Sequence, residues 1–490
     1  MMLQFASCLW LLLVAGAAVP DALSWIRSSS VLGDLNFYDE HGRVRIFHGS
    51  NRVHKSPPWY VDEMYRGDAE ADYMQSVGFT VARLGFMWSG YNPAPGIFNQ
   101  TYIDVIKAIV GRLAQRGVYS LLNVQMDGLS SKFGTYDGAP LWVINKSISK
   151  HAFPWPRHSN QSRGGWDINI MTEASATAYQ DIFDNNHGML DDFVAFWSHA
   201  AKQFKDVSGV IGYDIMNEPF AGNFYEDPTL LLPGIAGRNN LQRMYDIVAT
   251  AIRKYDDRHI IFYEPVTWGM VFKQPVVGSG FEHVPGGDVY RNRSAYSYHY
   301  YCHDFVSDGH PRLQKVVCDK TIGPRVWRTV REDLNRIGGA QMMTEGMQCD
   351  GVQHECEYVM NELDTHLFSW MDWTFGMYNI PKSESWARTY AHAVAGVPLN
   401  MSFNPKTKDF NFCFQMNSAI QAPTEIFAST KYSYPQGFSV STSGNVKVSI
   451  GGDLVFVTPS CHGDNGSEAC VQIIRKAKIF QHETNFAEYV

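Results

Sequence analysis

Two glutamates in this 490-residue chain each stand at the end of a short apolar run of the kind that forms a buried strand. Glu218 follows the run Val210–Met216, and Glu345 follows Gln341–Thr344. A pair of carboxyl groups can cleave a glycosidic bond, because a protonated one donates to the leaving oxygen while an ionised one attacks the anomeric carbon or activates water. A lone glutamate at a strand end more often caps an element or forms an ion pair, so the surroundings of both must decide.

The segments that would position these glutamates alternate between strand-like and helix-like patterns. Apolar residues recur with helical spacing between the strands, for example over Ile103–Leu113 and Leu190–Trp197. Eight strand–helix units predict an α/β fold, a (β/α)8 TIM barrel, in which catalytic groups lie at the carboxyl ends of the strands. The predicted strands are Val44–Gly49, Thr80–Phe86, Tyr119–Gln125, Val210–Met216, His259–Tyr263, Ala295–Tyr300, Gln341–Thr344 and Leu367–Trp373.

The pattern changes after Ala395, where short strand-like runs are separated by Gly, Asn, Pro and Asp turns. We therefore predict a catalytic barrel over residues 23–395 and a C-terminal antiparallel β-sandwich over residues 396–490. The strands expected in the sandwich are Leu399–Phe403, Phe410–Gln415, Phe438–Ser441, Val446–Ile450 and Leu454–Thr458.

Residues 1–22 have the pattern of a signal peptide. The apolar segment Leu9–Val19 ends in the small residues Ala15–Ala18, and we expect cleavage between about Ala17 and Ala22. A buried N-terminal helix is the alternative, but the segment has no polar face. The expected location is the extracellular space or the lumen of a secretory, digestive or acidic compartment. Glycosylation sequons agree with that expectation and occur at Asn99, Asn145, Asn160, Asn292, Asn400 and Asn465.

Cysteine spacing and charge exclude several classes of site. Closeness in sequence favours three disulfides and leaves Cys413 free or buried; the pairs are Cys302–Cys318, Cys349–Cys356 and Cys461–Cys470. No cluster has zinc-site spacing, so we expect neither a metal nor a cofactor. The net charge of -8 argues against nucleic-acid binding, which needs a concentrated positive surface.

Around Glu218 stands the motif Gly212–Pro219, GYDIMNEP. Through it the sequence resembles glycoside hydrolase family five and, within that family, the endoglycoceramidases. The resemblance covers nearly the whole chain after the predicted signal peptide. It is carried by Phe47–Tyr60 (FHGSNRVHKSPPWY), Val81–Gly90 (VARLGFMWSG), Gly212–Gly222 (GYDIMNEPFAG), Ile261–Gly269 (IFYEPVTWG), Val284–Gly287 (VPGG), Ser297–Tyr301 (SYHYY), Met343–Gly346 (MTEG) and Arg388–Pro398 (RTYAHAVAGVP).

The resemblance implies a retaining double displacement with Glu218 as the acid/base and Glu345 as the nucleophile. Glu218 then needs a raised pKa, which an apolar rim and a neighbouring carboxylate would supply. Glu345 must stay ionised, and the resemblance makes Arg83 and Tyr301 the groups that hold it. Arg83 considered alone would more often form a structural ion pair.

Further positions implied by the resemblance lie around the sugar. Asn217 would contact the 2-hydroxyl, His299 would orient the acid/base, and Trp373 would form an aromatic platform for the pyranose. Histidine and tryptophan in strands also serve as ordinary core residues, so these roles rest on the family pattern. Positions that match the family less distinctively, and that also suit surface ion pairs or loop packing, are Lys55, Asp127 and Trp268.

One position departs from the family pattern. Where the family usually has Asp-x-His-Gln-Asp after the third strand, this chain has Asn123-Val124-Gln125-Met126-Asp127. Gln125 thus replaces a histidine expected to contact the sugar, and glutamine cannot carry a proton at neutral pH. The replacement affects the expected rate, pH optimum and sugar preference. Gly346, where phenylalanine is common, is a milder departure.

The resemblance implies a glycosphingolipid substrate, cleaved between oligosaccharide and ceramide. We also expect transient contact with a membrane surface and favour a monomer, although the sequence does not reveal the oligomeric state. Apolar loop segments would suit a lipid, although they could equally pack under neighbouring loops; they are Pro57–Tyr60, Leu230–Pro233 and Met270–Phe272. One alternative is another family-five β-glycosidase, acting on glucosylceramide, steryl glucosides or glucans. A second is a non-catalytic glycolipid-binding protein, which only Gln125 makes plausible.

Overall fold

The computed structural model describes residues 23–134, 138–158, 165–266, 278–302, 306, 310–347, 349, 353–376, 380–460 and 465–476. The predicted signal peptide, Asn160, Trp268, the segment Met270–Phe272 and Cys461 lie outside the described residues.

Eight parallel strands close into a barrel in chain order. Their residues are almost all buried, because helices cover the outside of a parallel barrel and packed side chains fill its interior. The predicted (β/α)8 fold is confirmed. Three short strands come first, β1 (Arg27–Ser28), β2 (Phe37–Tyr38) and β3 (Val44–Arg45), and the barrel strands are β4 (His48–Arg52), β5 (Val81–Gly85), β6 (Tyr119–Asn123), β7 (Val210–Asp214), β8 (Ile260–Tyr263), β9 (Ser294–Tyr300), β10 (Ala340–Gly346) and β11 (Ser369–Asp372).

The predicted first barrel strand, Val44–Gly49, is wrong. Val44 and Arg45 form β3, which pairs antiparallel with a strand of the C-terminal region, whereas the barrel strand begins at His48 and pairs with β5 and β11. The intervening Ile46 and Phe47 are buried, so the apolar run continues through a change of sheet. The other predicted barrel strands agree with the structure to within two residues at each end.

Amphipathic helices surround the barrel. In helix Gln100–Ala114 the predicted apolar positions face the core, and the Asn99 side chain caps the helix by accepting from the Tyr102 amide at 3.1 Å. The predicted apolar face of Leu190–Trp197 lies on Met189–Phe204. The other helices are Asp62–Arg66, Ala69–Ser76, Trp88–Tyr91, Leu141–Ile144, Trp166–Asn169, Glu173–Phe183, Gln242–Arg253, Pro311–Gln314, Gly323–Ile337, Gln353–His366 and Ile380–Trp386.

The barrel interior changes from apolar to polar along the strands. At the amino ends, an apolar layer includes Leu121, Ala295 and Met342, and Ile26 and Phe37 from the N-terminal segment pack against it. At the carboxyl ends, inward positions carry buried polar side chains that hydrogen-bond to one another, among them Arg83, Asp214, Ser297 and Thr344. The apolar layer therefore fills the amino end of the barrel, and the polar carboxyl end is the one where a substrate could enter.

The C-terminal region forms the predicted antiparallel sandwich. A seven-stranded sheet of order β1-β2-β3-β12-β15-β18-β17 faces a four-stranded sheet of order β13-β14-β19-β16. Their inner faces share one apolar core, with Ile426 and Val455 from the first sheet and Phe412 and Val471 from the second. The strands are β12 (Tyr390–Val394), β13 (Gly396–Phe403), β14 (Phe410–Met416), β15 (Thr424–Phe427), β16 (Phe438–Ser443), β17 (Val446–Gly451), β18 (Leu454–Pro459) and β19 (Glu468–Arg475).

Two of the three predicted disulfides are confirmed, Cys302–Cys318 and Cys349–Cys356. The pair Cys461–Cys470 is wrong, because Cys470 is bonded to Cys413, and Cys413 is therefore not free. The two residues lie directly opposite each other on the antiparallel neighbours β14 and β19, with a Cα–Cα distance of 4.1 Å. Register across a sheet, which spacing along the chain does not reveal, determines this bond.

Aromatic and charged side chains join the sandwich to the barrel. The Tyr390 ring stacks on the His48 imidazole with centroids 3.5 Å apart, and its hydroxyl donates to the Gly78 carbonyl. The buried Arg388 guanidinium donates to Asp364 on the barrel helix Gln353–His366 at 2.5 Å. Within the part of the chain that the structure covers, no helix combines the length and apolar character needed to cross a membrane.

Candidate active site

Glu345 points into the barrel mouth because of a local irregularity in β10. Met343 pairs with Tyr298 and Glu345 with His299, so Thr344 is an extra residue on one strand of the pair. Such a bulge changes the phase of the side chains that follow it and is common next to active sites. The next residue, Gly346, has φ +154°, and a Cβ there would lie 2.5 Å from the Tyr300 carbonyl oxygen. Only glycine fits the backbone at this point.

Both carboxylate oxygens of Glu345 accept a hydrogen bond. The Arg83 Nη1 donates to Oε2 at 2.8 Å, and the Tyr301 hydroxyl donates to Oε1 at 2.8 Å. Glu345 is 6% exposed, so these two donors replace most of the contacts that solvent would make with its carboxyl group. A carboxyl group fixed between a guanidinium and a hydroxyl donor at the barrel mouth has the position that a nucleophile requires.

Glu218 lies beyond the end of β7 with an unusual backbone. Its φ of +43° is rare for a residue with a side chain. Its amide donates to Glu264 Oε2 at 2.9 Å, and its Oε1 lies 2.9 Å from His299 Nδ1. Burial raises the pKa of Glu218 to about 7, against the lowering effect of the His299 hydrogen bond. Such a carboxyl can hold a proton and give it up near neutral pH.

The two glutamates approach each other closely. A carboxylate oxygen of Glu218, one of Glu345 and a ring nitrogen of His299 all lie within 4.8 Å of one another. Retaining glycosidases hold their carboxyl groups about 5–5.5 Å apart, whereas inverting enzymes leave room for a water between them. The trio meets the distance requirement for sharing a cation, but Arg83 and Tyr301 already donate to Glu345, and a protonated imidazole would repel a metal.

Arg83 links the carboxylates of the site. Its guanidinium, fully buried, donates to Asp214 at 2.8 Å, to Glu264 at 2.8 Å and to the Asn217 Oδ1 at 2.9 Å, in addition to Glu345. The planar fork of arginine suits several acceptors at once. Arg83 is therefore both a structural ion-pair centre and a direct partner of the candidate nucleophile.

Four predicted sugar-contact residues form a continuous chain beside the glutamates. Asn217 Nδ2 donates to Asp127 Oδ1 at 3.0 Å, and Asp127 forms an ion pair with Lys55. The Lys55 ammonium lies 4.6 Å from the centroid of the half-buried Trp373 ring. Amide, carboxylate and ammonium groups next to an aromatic ring are suited to sugar hydroxyls and to the apolar face of a pyranose.

Gln125 lies in the same network. Its Nε2 donates to Asn123 Oδ1 at 2.8 Å and is 3.4 Å from Asn217 Oδ1. Its Oε1 is buried and accepts no hydrogen bond from the described residues. A buried acceptor of this kind is costly unless a further group donates to it.

The structure brings together every predicted site residue except Trp268, which lies outside the described residues. Sequence reasoning did not identify Glu264 and Asp214. Glu264 directly follows β8, so the strand-end rule that selected Glu218 also points to Glu264.

A mostly apolar cavity of about 290 Å³ lies among the loops that follow β7 and β8. Phe220 and Pro265, near neighbours of Glu218 and Glu264 in the chain, contribute to its wall together with Leu230. Leu231 and Leu232 also line it and are 49% and 57% exposed, so this predicted apolar loop is only partly covered by its neighbours.

Comparison with known proteins gives consistent matches over both regions of the chain. Residues 39–379 match the family described as cellulase (glycosyl hydrolase family 5), and residues 388–473 match the glycoside hydrolase family 5 C-terminal domain. The endoglycoceramidase of Cyanea nozakii is 32% identical over 88% of this chain and 90% of its own length. That of Hydra vulgaris is 34% identical over 84% of this chain and 82% of its own.

Solved structures share the fold. Endo-glycoceramidase II from Rhodococcus sp. in complex with ganglioside GM3 superposes with a TM-score of 0.73 at 22% identity, covering 90% of this chain and 99% of that one. Sterylglucosidase 1 of Cryptococcus neoformans gives a TM-score of 0.70 at 14% identity, covering 92% and 97%. The family match over barrel and sandwich identifies this chain as a glycoside hydrolase that belongs to glycoside hydrolase family 5.

Proposed function

We propose that this protein is a secreted, retaining endoglycosidase that cleaves glycosphingolipids between oligosaccharide and ceramide. The observation that carries the proposal is the approach of the Glu218 and Glu345 carboxylates to within 4.8 Å at the mouth of the barrel. Relatives at 32% and 34% identity bear the name endoglycoceramidase, which supports the substrate class.

In the first step, the Glu345 carboxylate attacks the anomeric carbon while Glu218 protonates the departing oxygen, which becomes the ceramide hydroxyl. The carbon–oxygen bond to ceramide breaks as the bond to Glu345 forms. Arg83 and Tyr301 hold the attacking carboxylate in position. With a pKa of about 7, raised by burial, Glu218 carries the required proton at mildly acidic pH.

In the second step, a water molecule takes the place of ceramide. Glu218, now ionised, accepts a proton from this water, whose oxygen attacks the anomeric carbon and displaces Glu345. Two inversions leave the sugar with its original configuration. Burial lowers the pKa of His299, but the Glu264 and Glu345 carboxylates outweigh that effect and raise it well above its usual range. His299 therefore carries a positive charge, which stabilises the neighbouring Glu218 in its ionised form.

The apolar cavity provides a place for the lipid. Since Glu218 protonates the oxygen of the leaving group, the aglycone must lie on the Glu218 side of the site, and Phe220 and Ala221, which follow Glu218 in the same loop, line the cavity. Burial of apolar lipid surface would favour binding there. The half-exposed Leu231 and Leu232 at its edge would touch a membrane or micelle surface transiently while the lipid enters.

Secretion is supported by the disulfides, since such bonds persist in oxidising compartments and are rare in the cytosol. Sequon residues Asn99, Asn145, Asn400 and Asn465 are exposed and therefore open to glycosylation. Expression in animal cells tests this part of the proposal. We expect the protein in the medium, with a mass that falls on treatment with a peptide N-glycosidase; retention in the cytosol without glycans would contradict it.

The activity is tested with purified protein and a ganglioside, glucosylceramide, a steryl glucoside and a β-glucan. We expect intact oligosaccharide and ceramide from the ganglioside, identified by mass, and NMR should detect the β-anomer before mutarotation. Glu218→Gln and Glu345→Gln should each lower turnover about 1,000-fold or more with the fold intact. Glu226→Gln, at an exposed carboxylate on the same rim, is the matched control and should retain activity.

Other outcomes distinguish the competing functions. Turnover confined to glucosylceramide, the steryl glucoside or the glucan would identify another β-glycosidase of the family. Glycolipid binding without products would identify a binding protein. An α-anomer as the first product would rule out retention, and normal turnover by Glu345→Gln would overturn the assignment of the nucleophile.

A further inference from the structure

A third buried glutamate stands behind the two that react. Glu264 directly follows β8 and is 1% exposed. It lies too deep to touch a substrate, but it contacts the acid/base Glu218 and two residues that bind the reacting glutamates, Arg83 and His299. Its Oε1 accepts from Arg83 Nη2 at 2.8 Å and lies 3.3 Å from His299 Nε2, and its Oε2 accepts from the Glu218 amide at 2.9 Å.

The surroundings of Glu264 require that both oxygens of the side chain accept hydrogen bonds. Arg83 donates to one oxygen, which also lies 3.3 Å from the His299 Nε2, and the Glu218 backbone N–H donates to the other. A carboxylate is the side chain of this length with acceptors only, whereas the glutamine amide offers one oxygen and one donor nitrogen. Glutamine at residue 264 would therefore leave one of these donor groups without an acceptor or facing another donor.

The Glu264–Glu218 contact supports a strained backbone. A φ of +43° at Glu218 costs free energy that a regular conformation would not, and such residues persist only where the surroundings hold them. A charged acceptor on the amide of the same residue provides that support. The carboxyl of Glu218 is thereby turned towards the substrate position and His299.

Charge provides the second link between Glu264 and the acid/base. The groups that face Glu264 are Arg83, Asp214, His299 and the Tyr245 hydroxyl from helix Gln242–Arg253. Those that face His299 are Glu218, Glu264 and Glu345, at 2.9, 3.3 and 3.9 Å from its ring nitrogens, and Asp214 also interacts with it electrostatically. Burial lowers the pKa of His299, and the Glu264 carboxylate is the largest of the effects that raise it.

We propose that Glu264 is a positioning residue of the hydrolytic reaction, which keeps His299 protonated and holds the backbone of Glu218 in its active conformation. This role rests on the proposed function of Glu218 as the acid/base. Glu264 acts through His299 and through the Glu218 amide and makes no contact with the sugar.

The proposal fixes the direction of a pH effect. Without the Glu264 charge, the pKa of His299 falls, so more of the protein carries a neutral ring at the alkaline end of the assay range. Glu218 then loses the positive charge of His299, whose Nδ1 lies 2.9 Å from the Glu218 Oε1. It also loses the negative charge of Glu264, which is more distant. Because Coulomb energy falls with distance, loss of the nearer charge dominates and the pKa of Glu218 rises. The alkaline limb of kcat/KM should move to higher pH by about one unit.

The test compares Glu264→Gln with Asp256→Asn. Asp256 is an equally buried carboxylate that contacts His259 and the Tyr213 hydroxyl near the start of β8, away from the site, so its loss also destabilises the fold. In Glu264→Gln we expect kcat to fall about 10- to 100-fold with KM little changed, together with the alkaline shift. Asp256→Asn should lower the melting temperature while leaving the pH profile in place.

A readout independent of turnover follows the ring of His299 directly. In protein labelled at the histidine Cε1 carbon, and with the resonance assigned by His299→Asn, NMR titration should show His299 losing its proton at lower pH in Glu264→Gln than in the wild type. An unchanged His299 titration, or an unchanged pH profile at full kcat, would overturn the proposal. Wild-type protein that cleaves no glycoside would instead refute the proposed function, and the NMR result would still report on the Glu264–His299 contact.

Discussion

Charge at the barrel mouth is balanced within a network of residues rather than within isolated pairs. Arg83 and His299 supply positive charge, and the carboxyl groups of Asp214, Glu264 and Glu345 face them, all of them buried. Moving a charge out of water costs several kcal/mol unless partners replace the water. Each member of the network is such a partner for the next, so substitution at one residue changes the proton affinity of the others.

The pH dependence of catalysis should report on Glu218. Burial raises its pKa to about 7, and the first step needs the protonated form, so kcat/KM on a glycolipid should be retained below pH 7 and fall about tenfold per unit above it. Burial also raises the pKa of Asp214 to about 7. An aryl glycoside with a good leaving group distinguishes Glu218 from Asp214 as the source of the limb, because departure of the aryl group needs no proton from Glu218. The limb should vanish with that substrate, and its persistence would assign it to another group.

Gln125→His tests the departure from the family pattern. An imidazole can keep the donation to Asn123 Oδ1, but it titrates near pH 6.5 in the absence of other effects. Arg83, which donates to the same Asn217 Oδ1 that lies 3.4 Å from Gln125 Nε2, disfavours the cation and should move that titration lower. We expect the variant to show an additional acidic limb in kcat/KM, measured between pH 4 and 8. A profile and rate identical to wild type would show that residue 125 is kinetically inert.

At the scale of the elements, the orientation of the nucleophile depends on the bulge in β10. Gly346→Ala would place a Cβ 2.5 Å from the Tyr300 carbonyl oxygen, so β9 and β10 must separate. We expect kcat to fall at least tenfold and the free energy of unfolding to fall by about 1–3 kcal/mol. Gly117→Ala is the matched control, since Gly117 has φ +76° with no atom within 4 Å of the added Cβ. That variant should lose about 1 kcal/mol of stability without any change in kcat.

Hydrophobic patterning predicted the barrel and, to within two residues, the ends of every barrel strand except the first, because strand-end position depends on local sequence. Features that depend on neighbouring strands were not predictable in this way. The bulge at Thr344 is visible only in the pairing of β10 with β9, and the Cys413–Cys470 bond only in the register of β14 with β19. Glu264 occupied the predicted kind of position, but its role is apparent only once Arg83 and His299 are seen beside it.

At the scale of the whole molecule, the sandwich is built partly from the N-terminal segment. Strands β1, β2 and β3 join its larger sheet. Phe37 on β2 also packs against the apolar layer at the amino ends of the barrel strands. A sheet that contains both ends of the barrel sequence ties the two regions together. We therefore expect the barrel and sandwich to unfold in a single cooperative transition rather than as separate units.

The ion pair between Arg388 and Asp364 provides a test of this coupling. Both side chains are buried, and Arg388 also donates to Asn361 Oδ1 at 2.9 Å. Arg388→Met would leave Asp364 buried without its counter-charge, which should lower the free energy of unfolding by about 3–5 kcal/mol at pH 7. Burial already raises the pKa of Asp364, against the lowering effect of Arg388.

Loss of Arg388 would raise the pKa of Asp364 further above its unfolded value. The folded state then binds a proton that the unfolded state releases above about pH 4, so the cost of the substitution should grow as the pH rises and shrink as it falls. Asp364→Asn in the same chain should restore part of the stability. Calorimetry of the wild type, the single variants and the double variant at pH 5 and pH 7 measures this. Two resolved transitions, or a cost independent of pH, would show that the interface does not couple the two regions in this way.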